Sequence, residues 1–225
     1  IAGGTAVAWP GHISGIILSV IWLLFITNAV NFMDGLNGLI SGSLIAGNFF
    51  VAAVATYYGF PDLMWSALMM AACLLGFLPF NYPKAKIFLG DIGSQSCGLL
   101  AGTSALYMTR HTPLPSGWLL GPSLLFPLIF DVTFTLLRRT LARQSLMQAH
   151  RGHLYQVLHR SGMNAALITV CECLFVVWGG VVAVYVAHQP PVSGVCIALP
   201  LLLLPQMGWL ALAVIRTKKH PVGRW

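Results

Sequence analysis

Charge is what this sequence lacks most. Only 8% of its 225 residues are Asp, Glu, Lys or Arg, where a soluble domain carries roughly a quarter. Acid is scarcer still, with 5 Asp and Glu against 12 Lys and Arg. Together with 57% hydrophobic residues and a mean hydropathy of +0.81, this excludes a soluble globule and leaves an integral membrane protein. Paired cysteines are also missing. Cys73, Cys97, Cys171, Cys173 and Cys196 all fall in apolar runs, with no C-x-x-C pair or zinc-type spacing, and read as reduced packing residues. No repeat and no long linker divides the chain, so 1–225 reads as a single domain. No signal peptide is recognisable, and the chain opens on Ile1 within apolar sequence; it reads as a piece of a longer chain without its N-terminal spans. The net charge of +7 does not call for nucleic acid, because basic residues of membrane proteins mark cytoplasmic loops and contact anionic headgroups.

What is present in quantity is apolar sequence in runs of spanning length, about 20 residues each. Seven are expected, near Ile13–Phe32, Leu39–Tyr58, Leu63–Phe80, Ile92–Met108, Trp118–Leu137, Ala165–Ala187 and Val195–Ile215. The chain is thus an all-α, polytopic helix bundle. The fourth run carries Gly93, Ser94, Gln95, Ser96, Gly98 and Gly102 and belongs inside the bundle, since small and polar residues suit helix contact over lipid. Lys84, Lys86, Arg138, Arg139, Arg143, Arg151, Arg160, Arg216, Lys218, Lys219 and Arg224 fall on one side of these spans and Arg110 alone on the other. That bias puts the basic side and the C-terminus in the cytoplasm and the N-terminus outside.

The polar residues that could carry chemistry return to that same side. Asn28, Asn31, Asp34 and Asn37 recur every three positions at the end of the first span, which on a helix keeps them on one face. Gly35 and Gly38 are available to end or kink it. Four such groups at a span end are costly unless they line a wet cavity. Two crossings later, Phe88-Leu89-Gly90-Asp91-Ile92-Gly93-Ser94 sets a carboxylate between glycines, with Lys84 and Lys86 nearby and Ser94 expected to cap the next helix. Carboxylate, backbone N–H groups and lysines are what a metal-bound diphosphate needs. Two more crossings bring Gln148 to Gln156, with His150, Arg151 and His153. Imidazole can bind metal or move a proton, and a guanidinium matches phosphate. Asp131 reads as a buried partner that fixes this basic loop, with direct catalysis as the alternative, and Glu172 as an intramembrane acid with either a functional role or a snorkelling or helix-contact one.

These three clusters, in this order, resemble the polyprenyl-phosphate N-acetylhexosamine-1-phosphate transferases (glycosyltransferase family 4), relatives of the enzymes that begin peptidoglycan lipid and O-antigen synthesis. Asn28–Gly38 is similar to the family's Asn-x-x-Asn-x-x-Asp-Gly-x-(Asp/Asn)-Gly. Asn81 through Ser94 resembles its Asn-x-x-Pro and Phe-(Met/Leu)-Gly-Asp-x-Gly-Ser motifs, and His150–Gln156 its histidine loop. The resemblance implies transfer of a sugar 1-phosphate from a UDP-N-acetylhexosamine to undecaprenyl phosphate, with release of UMP, at the face of a bacterial cytoplasmic (inner) membrane. It implies Mg2+, with Mn2+ as a substitute, on Asp91, and Asp34 assisting the metal or phosphate. Asn81 and Phe88 would hold the uracil, Asn37 would contact the nucleotide, and His150, Arg151 and His153 would engage the diphosphate or sugar. Asn28 and Asn31 join the substrate-binding set, and His150 and His153 the catalytic one. The resemblance leaves room for a homodimer.

The departures are informative. His150-Arg151-Gly152-His153 replaces the His-His-His run of peptidoglycan enzymes, and Asn37 stands where they carry Asp; both favour another envelope glycan, such as the O-antigen of lipopolysaccharide. The family's paired aspartates have no counterpart here and are expected upstream of Ile1, so this piece alone is expected to be inactive. Two other classes compete: a transporter or flippase, which would spread its acids through the bilayer depth, and a non-catalytic truncated homologue.

Overall fold

The computed structural model describes residues 12–145 and 151–223, and within them the secondary structure is helical throughout. The helices are α1 (His12–Met33), α2 (Leu39–Tyr58), α3 (Pro61–Asn81), α4 (Gly90–His111), α5 (Leu120–Leu124), α6 (Phe126–Leu141), α7 (Leu154–Arg160), α8 (Ala165–Ala187) and α9 (Pro191–Lys219). A short 3-10 turn, Gly117–Leu119, precedes α5. Helices α1, α2, α3, α8 and α9 are each long and apolar enough to cross a bilayer. The expected fifth span is broken: α5 and α6 meet at a 66° bend, and together they make a sixth candidate. The break falls at Leu125-Phe126-Pro127, where proline has no N–H to continue the ladder and takes a first-turn position instead. Helix α4 has the length of a span but is too polar to count as one by composition.

Small residues set a close crossing of α4 on α1. Ser94, Gly98 and Gly102 recur every four residues on α4 and are buried against α1. A Cβ on Gly98 would sit 2.8 Å from the Thr27 Cα, and the Gly102 carbonyl accepts a 3.0 Å bond from the Trp22 indole. Close approach of this kind is how helices gain contact where lipid removes the hydrophobic drive. The opposite face of α4, with Gln95, Ser96 and Thr103, is exposed, so only one side of this helix lies within the bundle. The far end of α4 meets α5, where Gly121 abuts Ala105, and α5 in turn packs on α8 through Gly179.

Each pole of the bundle is tied by its own bonds. At one pole, Ser116 donates from its backbone to the Ala187 carbonyl (3.0 Å) and from its hydroxyl to Gln189 (2.8 Å). At the other, the ends of α1, α3, α6 and α9 and the starts of α2, α4 and α8 converge with α7. That pole carries all the described basic residues except Arg110. The five cysteines are free thiols, as expected; Cys97, Cys171 and Cys173 are partly buried, and Cys73 and Cys196 lie exposed on the surfaces of apolar helices.

Candidate active site

The basic pole is built around the turn that follows α1. The three-residue spacing of Asn28, Asn31, Asp34 and Asn37 does not stay helical, because α1 ends at Met33. Asn28 and Asn31 project from its last turns, while Asp34 and Asn37 lie in the turn. Gly38 (φ 77°) turns the chain into α2 in the left-handed region that favours glycine. Asn31 spends both amide hydrogens across the α1–α4 crossing, donating to Asp91 Oδ1 at 3.0 Å and to Ser94 Oγ at 2.9 Å. Asn28 donates to its own helix, at the Leu24 carbonyl (2.7 Å).

Asp34 and Asp91 face one another closely enough to interact. Burial first, and then the charge of Asp91, pushes the Asp34 carboxyl from its ordinary 3.8 up to about 6. Among the described residues the Asp34 carboxylate accepts no hydrogen bond and Asp91 accepts only that of Asn31. Neither has a cationic partner there, the one ion pair being that of His153 with Asp131. Two under-partnered carboxylates with the Asn31 carbonyl oxygen beside them form a hard, all-oxygen donor set. That suits Mg2+, which keeps several waters and takes only one or two carboxylates. No cluster of three or more His, Cys, Asp or Glu side chains exists among the described residues.

The loop between α3 and α4 forms the rim. Asn81 is buried, and its amide is spoken for at both ends: Oδ1 accepts from the Gly38 N–H (2.7 Å) and Nδ2 donates to Ile87 O (3.0 Å). These two bonds brace the loop against the turn. Asn37 braces it a second time, donating to Pro83 O (3.1 Å), while its own carbonyl accepts from Thr169 of α8 (3.3 Å). Phe88, held out by this brace, is 76% exposed, and Lys84 and Lys86 are exposed beside it. Ser94 does not cap α4, which begins at Gly90; its hydroxyl instead accepts from Asn31 and donates to Asp91 O (3.3 Å).

Asp131 organises the remaining cluster. Its Oδ1 accepts from His153 Nδ1 (2.9 Å), Leu154 N (3.1 Å) and Thr135 Oγ1 (3.2 Å), and its Oδ2 from Tyr155 N (3.3 Å). Two of these bonds satisfy orphan N–H groups at the start of α7. The loop is closed from the other side by Arg138 on Gly152 O (3.4 Å) and Arg139 on Ser145 O. Asp131 thus fixes the basic loop, as its sequence position suggests. His153, expected to engage the diphosphate or sugar, is in consequence only 3% exposed, packed beside the Phe32 and Tyr155 rings. Arg151 is exposed, and His150 lies outside the described residues. Glu172 does not snorkel: it is buried in α8, with Oε1 unpartnered among the described residues. The sequence reading assigned no role to Tyr155. Its signal was Gly35, whose added Cβ would lie 2.2 Å from the Tyr155 hydroxyl.

Comparison of the sequence with known proteins finds a family match over the same residues. Residues 4–109 match the family described as Glycosyl transferase family 4. The chain is similar to a Bacillus subtilis protein named "Probable undecaprenyl-phosphate N-acetylglucosaminyl 1-phosphate transferase", 34% identical over 149 residues, which are 65% of this chain and 41% of that protein. It is 32% identical over 201 residues to the decaprenyl-phosphate N-acetylglucosaminephosphotransferase of Mycobacterium tuberculosis, covering 80% of this chain and 49% of the relative. A phospho-N-acetylmuramoyl-pentapeptide-transferase of Staphylococcus saprophyticus is 37% identical over 105 residues, 47% of this chain and 33% of its own length. The chain spans about half the length of the curated relatives it matches, or less. The stretch that matches glycosyl transferase family 4, residues 4–109, carries both the Asn28–Asn37 and the Asn81–Ser94 clusters.

Proposed function

We propose that this chain carries the nucleotide-sugar and metal portion of a transferase that moves an N-acetylhexosamine 1-phosphate from a UDP-sugar to undecaprenyl phosphate. The observation that carries this reading is the pair Asp34 and Asp91, with Asp91 tied to α1 through Asn31 and neither given a cationic partner among the described residues. An oxygen of the lipid phosphate attacks the phosphorus bearing the sugar, and the bond to the second phosphate breaks, releasing UMP. Asp91 and Asp34 would hold Mg2+, which when bound supplies charge neutralisation on the diphosphate. Lys84, Lys86 and Arg151 add positive charge at the rim, where charge builds on the departing phosphate. The exposed Phe88 ring offers a face on which uracil can stack. Asn81 and Asn37 act one step back, by holding the Phe88 loop to the Asp34 turn.

The basic pole is assigned to the cytoplasmic side of a bacterial inner membrane, by its excess of Lys and Arg. In a cysteine-free background, Ser145→Cys and Thr217→Cys should resist impermeant thiol reagents in intact cells, and Ser116→Cys should react. Labelling of Ser145→Cys from outside contradicts the orientation. The activity itself is tested on the protein purified with its genomic flanking sequence. UMP release is measured from UDP-N-acetylhexosamines with undecaprenyl phosphate and Mg2+. Release that depends on both lipid phosphate and metal supports the reading, and its absence for every UDP-sugar rejects it. The His-Arg-Gly-His loop favours a glycan other than peptidoglycan, so UDP-N-acetylglucosamine is the first substrate to try.

A further inference from the structure

The Asp131 loop and the Asp34 turn come from chain segments about 120 residues apart, yet one side chain joins them directly. Tyr155 is fully buried, at 0% exposure. Its hydroxyl donates to the Phe32 carbonyl at 2.9 Å, across 123 positions of sequence, and accepts from Gln156 Nε2 at 3.1 Å. Phe32 lies in the last turn of α1, where carbonyls have no helical partner, so the phenol satisfies a group that otherwise stays unmet. The contact is prepared from both sides. Asp131 holds the Tyr155 backbone N–H at 3.3 Å. Gly35 leaves the space the hydroxyl occupies, since any Cβ there would lie 2.2 Å from it. Burial, followed by the charge of Asp131, raises the phenol above its ordinary range; it keeps its proton and remains a donor.

We propose that Tyr155 is a positioning residue: its hydroxyl, seated in the gap at Gly35, latches the basic α6–α7 loop onto the turn that carries Asp34, so that loop and carboxylates act as one site. This rests on reading Asp34 and Asp91 as the reacting centre. The hydroxyl bonds one residue after Asn31, which grips Asp91, and two residues before Asp34. Loss of the latch frees the end of α1 and the loop relative to each other without removing any group from the site. A phenylalanine would fill almost the same volume, so packing alone does not require the oxygen, and burying a hydroxyl costs stability unless it is bonded.

The test uses the protein with its flanking sequence in lipid nanodiscs. Spin labels are placed on Lys86→Cys and Ser145→Cys in a background free of native cysteines, and the interlabel distance distribution is measured by pulsed EPR. Wild type should give a narrow distribution and Tyr155→Phe a broad one. In the unlabelled enzyme, Tyr155→Phe should lower kcat roughly ten- to a hundredfold, the scale of a small misplacement of reacting groups, with KM for the UDP-sugar little changed. Gly35→Ala should broaden the distribution as well, and Gly35→Ala with Tyr155→Phe should recover melting temperature relative to Gly35→Ala alone, because the clashing oxygen is gone. This pair carries the test if Tyr155→Phe alone folds poorly. A narrow distribution in Tyr155→Phe, or a melting temperature that the double variant lowers further, overturns the proposal. If the wild type transfers no sugar phosphate, the functional reading fails, while the distance and melting measurements still decide the latch.

Discussion

Two carboxylate sites at the same pole of the bundle are built in opposite ways. Asp131, between α6 and α7, is buried and accepts four hydrogen bonds, from a ring, a hydroxyl and two backbone N–H groups. Asp91, between α1 and α4, is exposed and accepts one, and Asp34 accepts none among the described residues. A saturated carboxylate is a structural device, because every bond it accepts orders the loop around it. Carboxylates left facing each other without cations cost stability, and such a cost is tolerated where a ligand repays it. On the proposed function, the contrast separates the part of the pole that holds shape from the part that would hold substrate.

Exchanging one oxygen for an amide breaks the two sites differently. Asp91→Asn should lower transfer by on the order of 10²–10³ or more, with an unchanged melting temperature; UMP release and scanning fluorimetry on one sample check both. Asp131→Asn should instead reduce stability. It sets an amide against backbone N–H donors, and hydrogen bonds to a charged group contribute about 1.5–3 kcal/mol each. Its melting temperature should fall by several degrees, and protease cleavage in the α6–α7 loop should accelerate. A smaller effect sharpens the rim: Phe88→Ala should raise KM for the UDP-sugar about five- to a hundredfold, from roughly 1–3 kcal/mol of lost stacking, and Phe88→Tyr should be mild.

The smallest effect is a pH dependence in EDTA. The Asp34 carboxyl is raised from 3.8 to about 6 in the folded protein, so the folded state binds more protons than the unfolded one between those values. Stability is then fully present below about pH 4 and is lost as pH rises towards about 6. Asp34→Asn should remove that slope and raise the melting temperature at neutral pH. A wild-type melting temperature that climbs over this interval contradicts the under-partnered state of Asp34.

The sequence made the membrane bundle legible because spanning helices need long apolar runs, and four of the expected ranges, Leu39–Tyr58 and Ala165–Ala187 among them, are nearly the observed helices. The bend at Phe126 was hidden because Leu and Phe continue on both sides of Pro127, keeping the run apolar while the ladder breaks. That Asp34 and Asp91 meet at one pole was legible by motif and by parity of crossings, and the bracing role of Asp131 by its place before two arginines. Asn81 and Ser94 were not. A side-chain amide or hydroxyl looks the same in sequence whatever it bonds, and in the structure Asn81 bonds Gly38 and Ile87 while Ser94 accepts from Asn31. Tyr155 was missed because its partner is a backbone carbonyl 123 positions away.

The central claim is that Asp34 and Asp91 are left under-partnered in order to hold a divalent cation, whereas Asp131 is not. Its most direct test is an EPR titration of Mn2+, used as a visible stand-in for Mg2+, with UDP present and the protein in nanodiscs. Wild type and Asp131→Asn, the latter kept below its melting temperature, should bind one Mn2+, and Asp91→Asn should bind none in the same range. Equal binding by wild type and Asp91→Asn, or loss confined to Asp131→Asn, would contradict the account.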